Sequence, residues 1–382
     1  MAQVEKKEFN VKDFKSRESS HDKRVKELED EISKTKYNKK TQSHIGLVKA
    51  KLAKIKEEHQ KKAASKSGGV GFSVRRSGDA TVIMVGFPSV GKSTLLNALT
   101  NANSPVAAYA FTTLTCIPGL LEYNHANIQV LDVPGIVEGA ATGRGRGKEV
   151  LACAQGADLV MMIVDIFQPE HLEVVKGEIY DTGLRLNQKS PDVRIAKKSR
   201  GGIDIGKTVK LTHLDEDTIK GILSEFKLNN CSIVLREDIT DDQLIDVIEG
   251  GKKYIPGIVV LNKIDMVSKE ELERVKEIVN PDICISAEMK LNIEELKALI
   301  FKRLDFIRIY CKEHGKKADM DVPMIMKSTD TLKDLCIKLH KDFVKKFRYA
   351  RVWGKSMRFD GMPVKRLEHK LQDNDIVEVH TS

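Results

Sequence analysis

A glycine-rich segment of the chain has the residue types that hold a phosphate group. Residues 86–93 are Gly-Phe-Pro-Ser-Val-Gly-Lys-Ser, which matches the phosphate-loop pattern G-x-x-x-x-G-K-[ST] between an apolar run and a helical pattern. Backbone N–H groups of such a loop surround the phosphates, its lysine reaches the β- and γ-phosphates, and its serine hydroxyl binds Mg²⁺. The candidate contacts are Gly86, Phe87, Pro88, Ser89, Val90, Gly91, Lys92, Ser93 and Thr94.

Two later segments, each following an apolar run, could select the base. The carboxylate of Asp265 can accept hydrogen bonds from guanine N1–H and its exocyclic amine, whereas adenine offers the wrong pattern. Lys263 can lie along the ring, and Asn262 can tie this loop to the phosphate loop. The segment that starts with Ser286 and Ala287 can present a backbone N–H to guanine O6. Together they predict a guanine nucleotide at the carboxyl edge of a sheet.

Two further segments have groups suited to the metal and the γ-phosphate. Asp132 ends an apolar run and could stand beside Mg²⁺ through water, while the N–H of Gly135 could meet the γ-phosphate. Phe111 precedes two threonines, and the hydroxyl of either Thr112 or Thr113 could complete the Mg²⁺ coordination. Lys92, Gly135 and whichever of these threonines binds the metal are the candidates for catalysis.

The residue after Gly135 complicates hydrolysis. Many GTPases have a glutamine there that orients the attacking water, but this chain has Ile136, whose alkyl group cannot hydrogen-bond water. Slow intrinsic hydrolysis is expected unless a monovalent cation, another side chain or a partner supplies the function. Arg144 and Arg146 could act in cis, or they could be solvated or face a partner.

Charge is distributed unevenly along the chain. The net charge is +9, yet residues 1–67 carry 19 Lys and Arg against 11 Asp and Glu, and residues 308–382 carry 17 against 11. Residues 68–307 have a net negative charge, with 28 Lys and Arg against 33 Asp and Glu. Basic ends favour binding to RNA or another polyanion, although a Lys-rich helical face that binds nothing is the alternative.

Composition excludes several protein classes. With 41% hydrophobic residues the chain can form a core, and its apolar run 159–164 is too short to cross a bilayer. The N-terminus has no apolar signal region, and the six cysteines include no C-x-x-C pair. We therefore expect a cytoplasmic, monomeric protein without a zinc or disulfide framework.

The hydrophobic pattern predicts several domains. Apolar runs at 81–85, 128–131, 159–164, 258–261 and 283–285 are typical of parallel strands in a doubly wound α/β sheet. Helical spacing predicts an N-terminal hairpin that must dock on something, and a helix with apolar positions from Leu332 to Phe343 that begins with a Thr331–Asp334 capping box. The predicted domains are a mobile tail (1–22), a basic helical hairpin (23–67), a nucleotide-binding domain (68–180 and 250–306), an inserted α+β domain (181–249) and a C-terminal α+β module (307–382).

In this order, the motifs resemble those of the translation-factor-related GTPases, and residues 86–93, 111–115, 132–136 and 145–148 are similar to the Obg-like branch. More closely, residues 23–382 resemble a developmentally regulated GTP-binding (DRG) protein or its archaeal counterpart. The resemblance includes the basic helix at 45–54 and the insertion motif Arg200-Gly-Gly-Ile. It implies a GTPase core with an extra inserted domain and a C-terminal TGS domain of β-grasp fold.

The resemblance also implies functional assignments. Ser93 and Thr113 would bind Mg²⁺, and Asn262, Lys263 and Asp265 would select guanine. A hydrophobic residue at Ile136 is usual in that family, whose members associate with ribosomes and often with a regulatory partner protein. Some related GTPases hold K⁺ with an Asn at the position of Ser89, so K⁺ activation stays open.

These observations lead to one main hypothesis, a Mg²⁺-dependent GTPase whose nucleotide state alters its affinity for ribosomes or RNA. A non-catalytic scaffold with GTP as a structural ligand is the alternative from a different class. A P-loop kinase is a third interpretation, in which the 262–265 segment would have no obvious task.

Overall fold

The computed structural model describes residues 20–36, 38, 41–66, 78–100, 117–133 and 156–381. The chain divides into two compact units. The first unit joins Met1–Gly71 to Lys189–Lys252, and the second joins Phe72–Gln188 to Lys253–Ser382. The N-terminal helices thus belong with the inserted segment, and the C-terminal module belongs with the nucleotide-binding domain.

Helices and strands alternate through much of the described chain. The helices are α1 (Ser20–Lys34), α2 (Gln42–Lys66), α3 (Lys92–Leu99), α4 (His171–Asp181), α5 (Glu216–Glu225), α6 (Asp241–Glu249), α7 (Lys269–Val279), α8 (Ile293–Arg303), α9 (Leu332–Leu339) and α10 (Lys341–Lys345). The strands are β1 (Ala80–Val85), β2 (Ile117–Tyr123), β3 (Ala126–Asp132), β4 (Leu159–Asp165), β5 (Leu184–Leu186), β6 (Val193–Lys197), β7 (Ile203–Lys207), β8 (Cys231–Leu235), β9 (Lys253–Ile255), β10 (Gly257–Asn262), β11 (Ile283–Cys284), β12 (Phe306–Cys311), β13 (Met324–Lys327), β14 (Phe347–Trp353), β15 (Met362–Val364) and β16 (Asp375–Thr381). Among the described helices, none combines the length and the apolar character that a bilayer crossing needs.

The nucleotide-binding domain is built on a six-stranded sheet in the order β11-β10-β4-β1-β3-β2. Five of these strands are parallel, which confirms the predicted doubly wound fold. Every residue of β4 is buried, because parallel strands are covered on both faces. The sequence did not predict β2, an antiparallel edge strand interrupted by Pro118 and Gly119. A tight turn at Asn124 and His125, both with positive φ, joins it to β3.

The C-terminal module is a five-stranded mixed sheet in the order β13-β12-β16-β14-β15. As predicted, α9 begins with the carboxylate of Asp334 accepting the Thr331 N–H at 2.8 Å. The prediction of one helix through Phe343 is wrong, because His340 is extended (φ −166°, ψ 138°) and ends α9. Its Nδ1 then accepts the N–H of Asp342 at 3.3 Å at the start of α10.

The N-terminal helices pack on the insertion in the first unit, as a hairpin with a narrow apolar face requires. The insertion has a three-stranded sheet, β6-β8-β7, and the two helices α5 and α6. Ala50 of α2 is fully buried in the same hydrophobic cluster as Ile219 and Ile222 of α5. A Cβ on Gly221 would lie 2.8 Å from Leu47 Cδ2, so the lack of a side chain lets α2 and α5 approach closely.

Two residues of α9, one buried and one exposed, test the core of the C-terminal module. We expect Leu335→Ala, which truncates a fully buried side chain, to lower the free energy of unfolding by about 2–5 kcal/mol. Ile337→Ala, on the exposed side of the same helix, should change it by no more than about 0.5 kcal/mol. Urea denaturation followed by the fluorescence of Trp353, the single tryptophan, measures both. Equal effects of the two substitutions would contradict the assigned core.

Candidate nucleotide site

The phosphate loop lies between β1 and α3, at the centre of the sheet. Gly91 has a φ of +94°, and a Cβ there would lie 2.4 Å from Asn262 Nδ2. A Cβ on Gly86 would lie 2.6 Å from the carbonyl oxygen of Ile163. Both positions therefore need glycine, since a side chain would collide with the neighbouring strand ends. The loop closes directly into α3, whose first turn includes a hydrogen bond from Leu95 N–H to the Gly91 carbonyl at 2.8 Å.

Side chains of the loop divide between the core and the surface. Val90 is buried, whereas Pro88, Ser89, Ser93 and Thr94 are exposed. The ring of Phe87 stacks on His171 at the start of α4, with 3.7 Å between ring centroids. This stack anchors the first part of the loop to the helix that follows β4.

Lys92 lies across the loop. Its ammonium donates to the carbonyl oxygens of Gly86 at 3.0 Å and Phe87 at 2.8 Å. The positive charge is thus held where α3 begins, at the helix end that favours anions. The arrangement suits a lysine that contacts phosphate oxygens.

Ser93 and Asp132 form a small polar cluster beside this lysine. The Ser93 hydroxyl donates to Asp132 Oδ2 at 3.2 Å. The other oxygen, Oδ1, is buried without a hydrogen-bond partner among the described residues. A buried carboxylate oxygen that lacks a partner calls for a cation or a water held by one, and Mg²⁺ prefers oxygen ligands of these types. The residues present therefore fit Mg²⁺.

Asn262 connects the phosphate loop with the base-binding segments. Its side chain is buried, and its amide donates to the Val90 carbonyl at 2.8 Å. Its Oδ1 accepts the Ala287 N–H at 3.0 Å. The Ala287 N–H that could meet guanine O6 therefore already donates to Asn262. Ser286 is fully buried, and its hydroxyl accepts the Met289 N–H at 3.0 Å, which closes the turn after β11.

Lys263 is positioned by a residue that sequence reasoning missed. It has a left-handed backbone (φ 67°), and its ammonium is 2.6 Å from Asp165 Oδ2 at the end of β4. The other oxygen of Asp165 accepts the Phe167 N–H at 3.1 Å. The position of Asp165 directly after the run 159–164 was a sequence signal, but its partner could be found only from the pairing of β4 with β10.

Asp265 has no partner within the described residues, unlike Asn262 and Lys263. It lies in a short 3-10 turn at Ile264–Met266 and is exposed, with no hydrogen-bond or ion-pair partner in the described part of the chain. A carboxylate in this setting can accept hydrogen bonds from a ligand without giving up an internal partner. The remaining sequence candidates, Phe111, Thr112, Thr113, Gly135, Ile136, Arg144 and Arg146, lie outside the described residues.

Most of the chain matches known protein families. Residues 81–198 match a family model described as a 50S ribosome-binding GTPase, residues 200–306 match the C-terminal region of the same domain, and residues 307–381 match the TGS domain. A GTP-binding protein of Methanocaldococcus jannaschii is 52% identical over 359 residues, covering 93% of this chain and 91% of the relative. The chain belongs to this family of TGS-containing GTP-binding proteins.

Eukaryotic relatives also match this chain over almost their whole length. Developmentally-regulated G-protein 3 of Arabidopsis thaliana is 45% identical, with 93% of this chain and 97% of the relative covered. Ribosome-interacting GTPase 1 of Saccharomyces cerevisiae is also 45% identical, with 93% and 98% covered. The match to the GTPase model includes the phosphate loop and strands β3 and β4 beside it, and the match to its C-terminal region includes β10 and β11. The chain is therefore a P-loop GTPase with a C-terminal TGS domain.

The ion pair between Lys263 and Asp165 provides a test of the GTPase site. Asp165→Asn keeps the size of the side chain and its acceptor for Phe167, but it removes the charge that holds Lys263. We expect the affinity for GDP to fall about tenfold, since a hydrogen bond between charged groups contributes about 1.5–3 kcal/mol. Titration with a fluorescent GDP analogue measures this loss.

The matched control is Asp181→Asn at the exposed end of α4, which should leave GDP affinity unchanged. A GDP affinity of Asp165→Asn within twofold of the wild type, with an unchanged melting temperature, would refute the positioning role.

Proposed function

We propose that this GTPase is a DRG-type, Mg²⁺-dependent enzyme that hydrolyses GTP to GDP and phosphate and acts as a nucleotide switch on ribosomes. The observation that carries the catalytic part is the pair of Ser93 and Asp132 beside Lys92, with one buried carboxylate oxygen lacking a partner. Ser93 would hold Mg²⁺ directly and Asp132 through water. Bound there, Mg²⁺ would neutralise charge on the β- and γ-phosphates.

Residues of the chain itself supply the remaining steps. The glycine positions of the phosphate loop let backbone N–H groups approach the phosphates, and Lys92 offers a charge to the β- and γ-oxygens. Thr113 and Gly135 complete the proposed set as the second Mg²⁺ ligand and the γ-phosphate contact. Since Ile136 cannot orient a water molecule, we infer that a cation such as K⁺ or a bound partner accelerates hydrolysis.

Asp265 gives a direct test of base selection. Asp265→Asn replaces a carboxylate that accepts from guanine N1–H and the exocyclic amine with an amide that suits the xanthine base. We expect GTP affinity to fall by at least about tenfold and xanthosine triphosphate to become the preferred ligand. Competition between the two nucleotides against a fluorescent analogue measures the change. An unchanged GTP affinity would show that Asp265 does not contact the base.

The ribosomal part of the proposal is supported by the name of the yeast relative and by charge. In the first unit, some of the basic charge is neutralised internally. Lys49 pairs with Asp241 at 3.1 Å and Asp242 at 2.7 Å, and Lys54 pairs with Glu225 at 3.4 Å. The exposed lysines and arginines of the TGS domain are therefore the better candidates for phosphate contacts.

Lys345 and Arg348 are both exposed in the TGS domain, three residues apart in sequence, at the end of α10 and the start of β14. We expect Lys345→Glu combined with Arg348→Glu to weaken ribosome co-sedimentation. The slope of log affinity against log salt should fall by about one for each lost phosphate contact. Lys269→Glu combined with Lys302→Glu makes the same charge change at exposed positions of the acidic middle and should have little effect.

Nucleotide state distinguishes a switch from a scaffold. For a switch, co-sedimentation differs between a non-hydrolysable GTP analogue and GDP, and ribosomes accelerate phosphate release in single turnover. For a scaffold in which GTP is only structural, neither quantity changes. A protein that releases phosphate but ignores ribosomes would keep the GTPase assignment and overturn the ribosomal one.

A further inference from the structure

Three metal-ligating side chains converge in the TGS domain, away from the nucleotide site. They are His314, Glu378 and His380, and their donor atoms all lie within 4.8 Å of one another. His314 Nδ1 is 3.0 Å from Glu378 Oε1, and His380 Nε2 is 2.7 Å from the same oxygen. In the part of the chain that the structure describes, no other group of three such residues is found.

The fold explains why distant residues meet here. Glu378 and His380 are two residues apart on β16, and a strand points alternate side chains to the same face. β12 runs parallel to β16, with Cys311 beside Val377, and the N–H of Lys312 donates to the Val377 carbonyl at 2.9 Å. The chain therefore leaves β12 beside Glu378, and His314 lies two residues after Lys312.

Neighbouring side chains orient two of the three donors. Lys312 lies 3.0 Å from Glu378 Oε2, so this oxygen is engaged and Oε1 faces the two imidazoles. The ring of His380 stacks on Tyr349, with 4.3 Å between centroids and 15° between planes. Lys312 is itself held 4.4 Å above the Trp353 ring. Such outer contacts are what align the ligands of metal sites.

A network of hydrogen bonds alone explains only part of this cluster. His314 hydrogen-bonds Glu378 Oε1, but the buried Nε2 of His380 has no hydrogen-bond partner in spite of its 2.7 Å approach to that oxygen. Two imidazole nitrogens and one carboxylate oxygen thus lie within 4.8 Å of one another.

Charge and access also suit a cation. Only 3% of the Glu378 side chain is exposed, and its carboxylate lies against His314, His380 and Lys312. His314 is 81% exposed, so a metal ion can enter from solvent on that side. The positive charge of Lys312 works against a second cation and limits the affinity.

We propose that His314, Glu378 and His380 form a Zn²⁺ site with an open fourth position for water. Two imidazoles and one carboxylate are a common donor set for zinc, whose bonds of about 2.0–2.2 Å place tetrahedral ligand atoms about 3.3 Å apart. The observed separations of 2.7 and 3.0 Å and the limit of 4.8 Å for all three pairs bracket that spacing. The ion would tie the segment after β12 to the C-terminal strand.

The test uses the full chain with its nucleotide site saturated by Mg²⁺ and GDP, so that this site does not take the added metal. Zn²⁺ is titrated against a chromophoric chelator, and Co²⁺ is added separately to detect the visible absorption of a tetrahedral site. We expect one Zn²⁺ per chain. Because His314 is exposed, His314→Ala should fold normally, which Trp353 fluorescence verifies, and it should weaken Zn²⁺ binding at least about tenfold.

The control is His125→Asn, which removes an exposed imidazole from the turn after β2 at a φ of +65° that asparagine tolerates. It should keep wild-type zinc binding. No Zn²⁺ binding by the wild-type chain, or the same affinity and stoichiometry after His314→Ala, would overturn the proposal. The first result would leave a cluster of hydrogen bonds and ion pairs, and the second would place the metal at other groups such as the cysteines.

Discussion

The side-chain amide of Asn262 is the interaction on which the nucleotide site depends. It is buried at the carboxyl ends of the parallel strands, donating to the phosphate loop at Val90 and accepting from the turn at Ala287. A buried carboxamide that lost either partner would leave polar groups unpaired in a dry environment, at a cost of about 1–3 kcal/mol each. This requirement couples the phosphate-binding and base-binding segments. It also explains why Gly91 cannot have a side chain, since a Cβ would lie 2.4 Å from the amide nitrogen.

Local groups rather than overall charge make the site suitable for a nucleotide. Residues 68–307 have more acidic than basic side chains, yet Lys92 and the start of α3 provide positive potential where the phosphates would bind. The acidic residues of the site lie in three different environments. Asp132 lies with Ser93, Asp165 holds Lys263, and Asp265 stays exposed in the turn after β10. Each carboxylate has its own environment, and hence its own task.

Local sequence patterns predicted much of the architecture. The five parallel strands, α3 after the phosphate loop and the capping box of α9 followed from apolar runs, glycine spacing and a Thr–Asp pair. Prediction failed where local preference and tertiary context disagree. β2 contains Pro118 and Gly119 and forms because it pairs with β3, while the apolar spacing through Phe343 concealed the break at His340. Within the predicted α+β insertion, the three strands of the sheet β6-β8-β7 were not located, since their apolar residues alternate and their order does not follow the chain.

By itself, the sequence identified a P-loop GTPase, because the phosphate loop is a short pattern whose function follows from residue type and spacing. The tertiary structure alone decided which charged groups meet. Lys263 and Asp165 are 98 residues apart, Lys49 and Asp242 are 193 apart, and His314 and Glu378 are 64 apart. No local pattern relates such pairs. They are brought together by strand order and by the packing of helices, which depend on the burial of apolar surface over the whole chain.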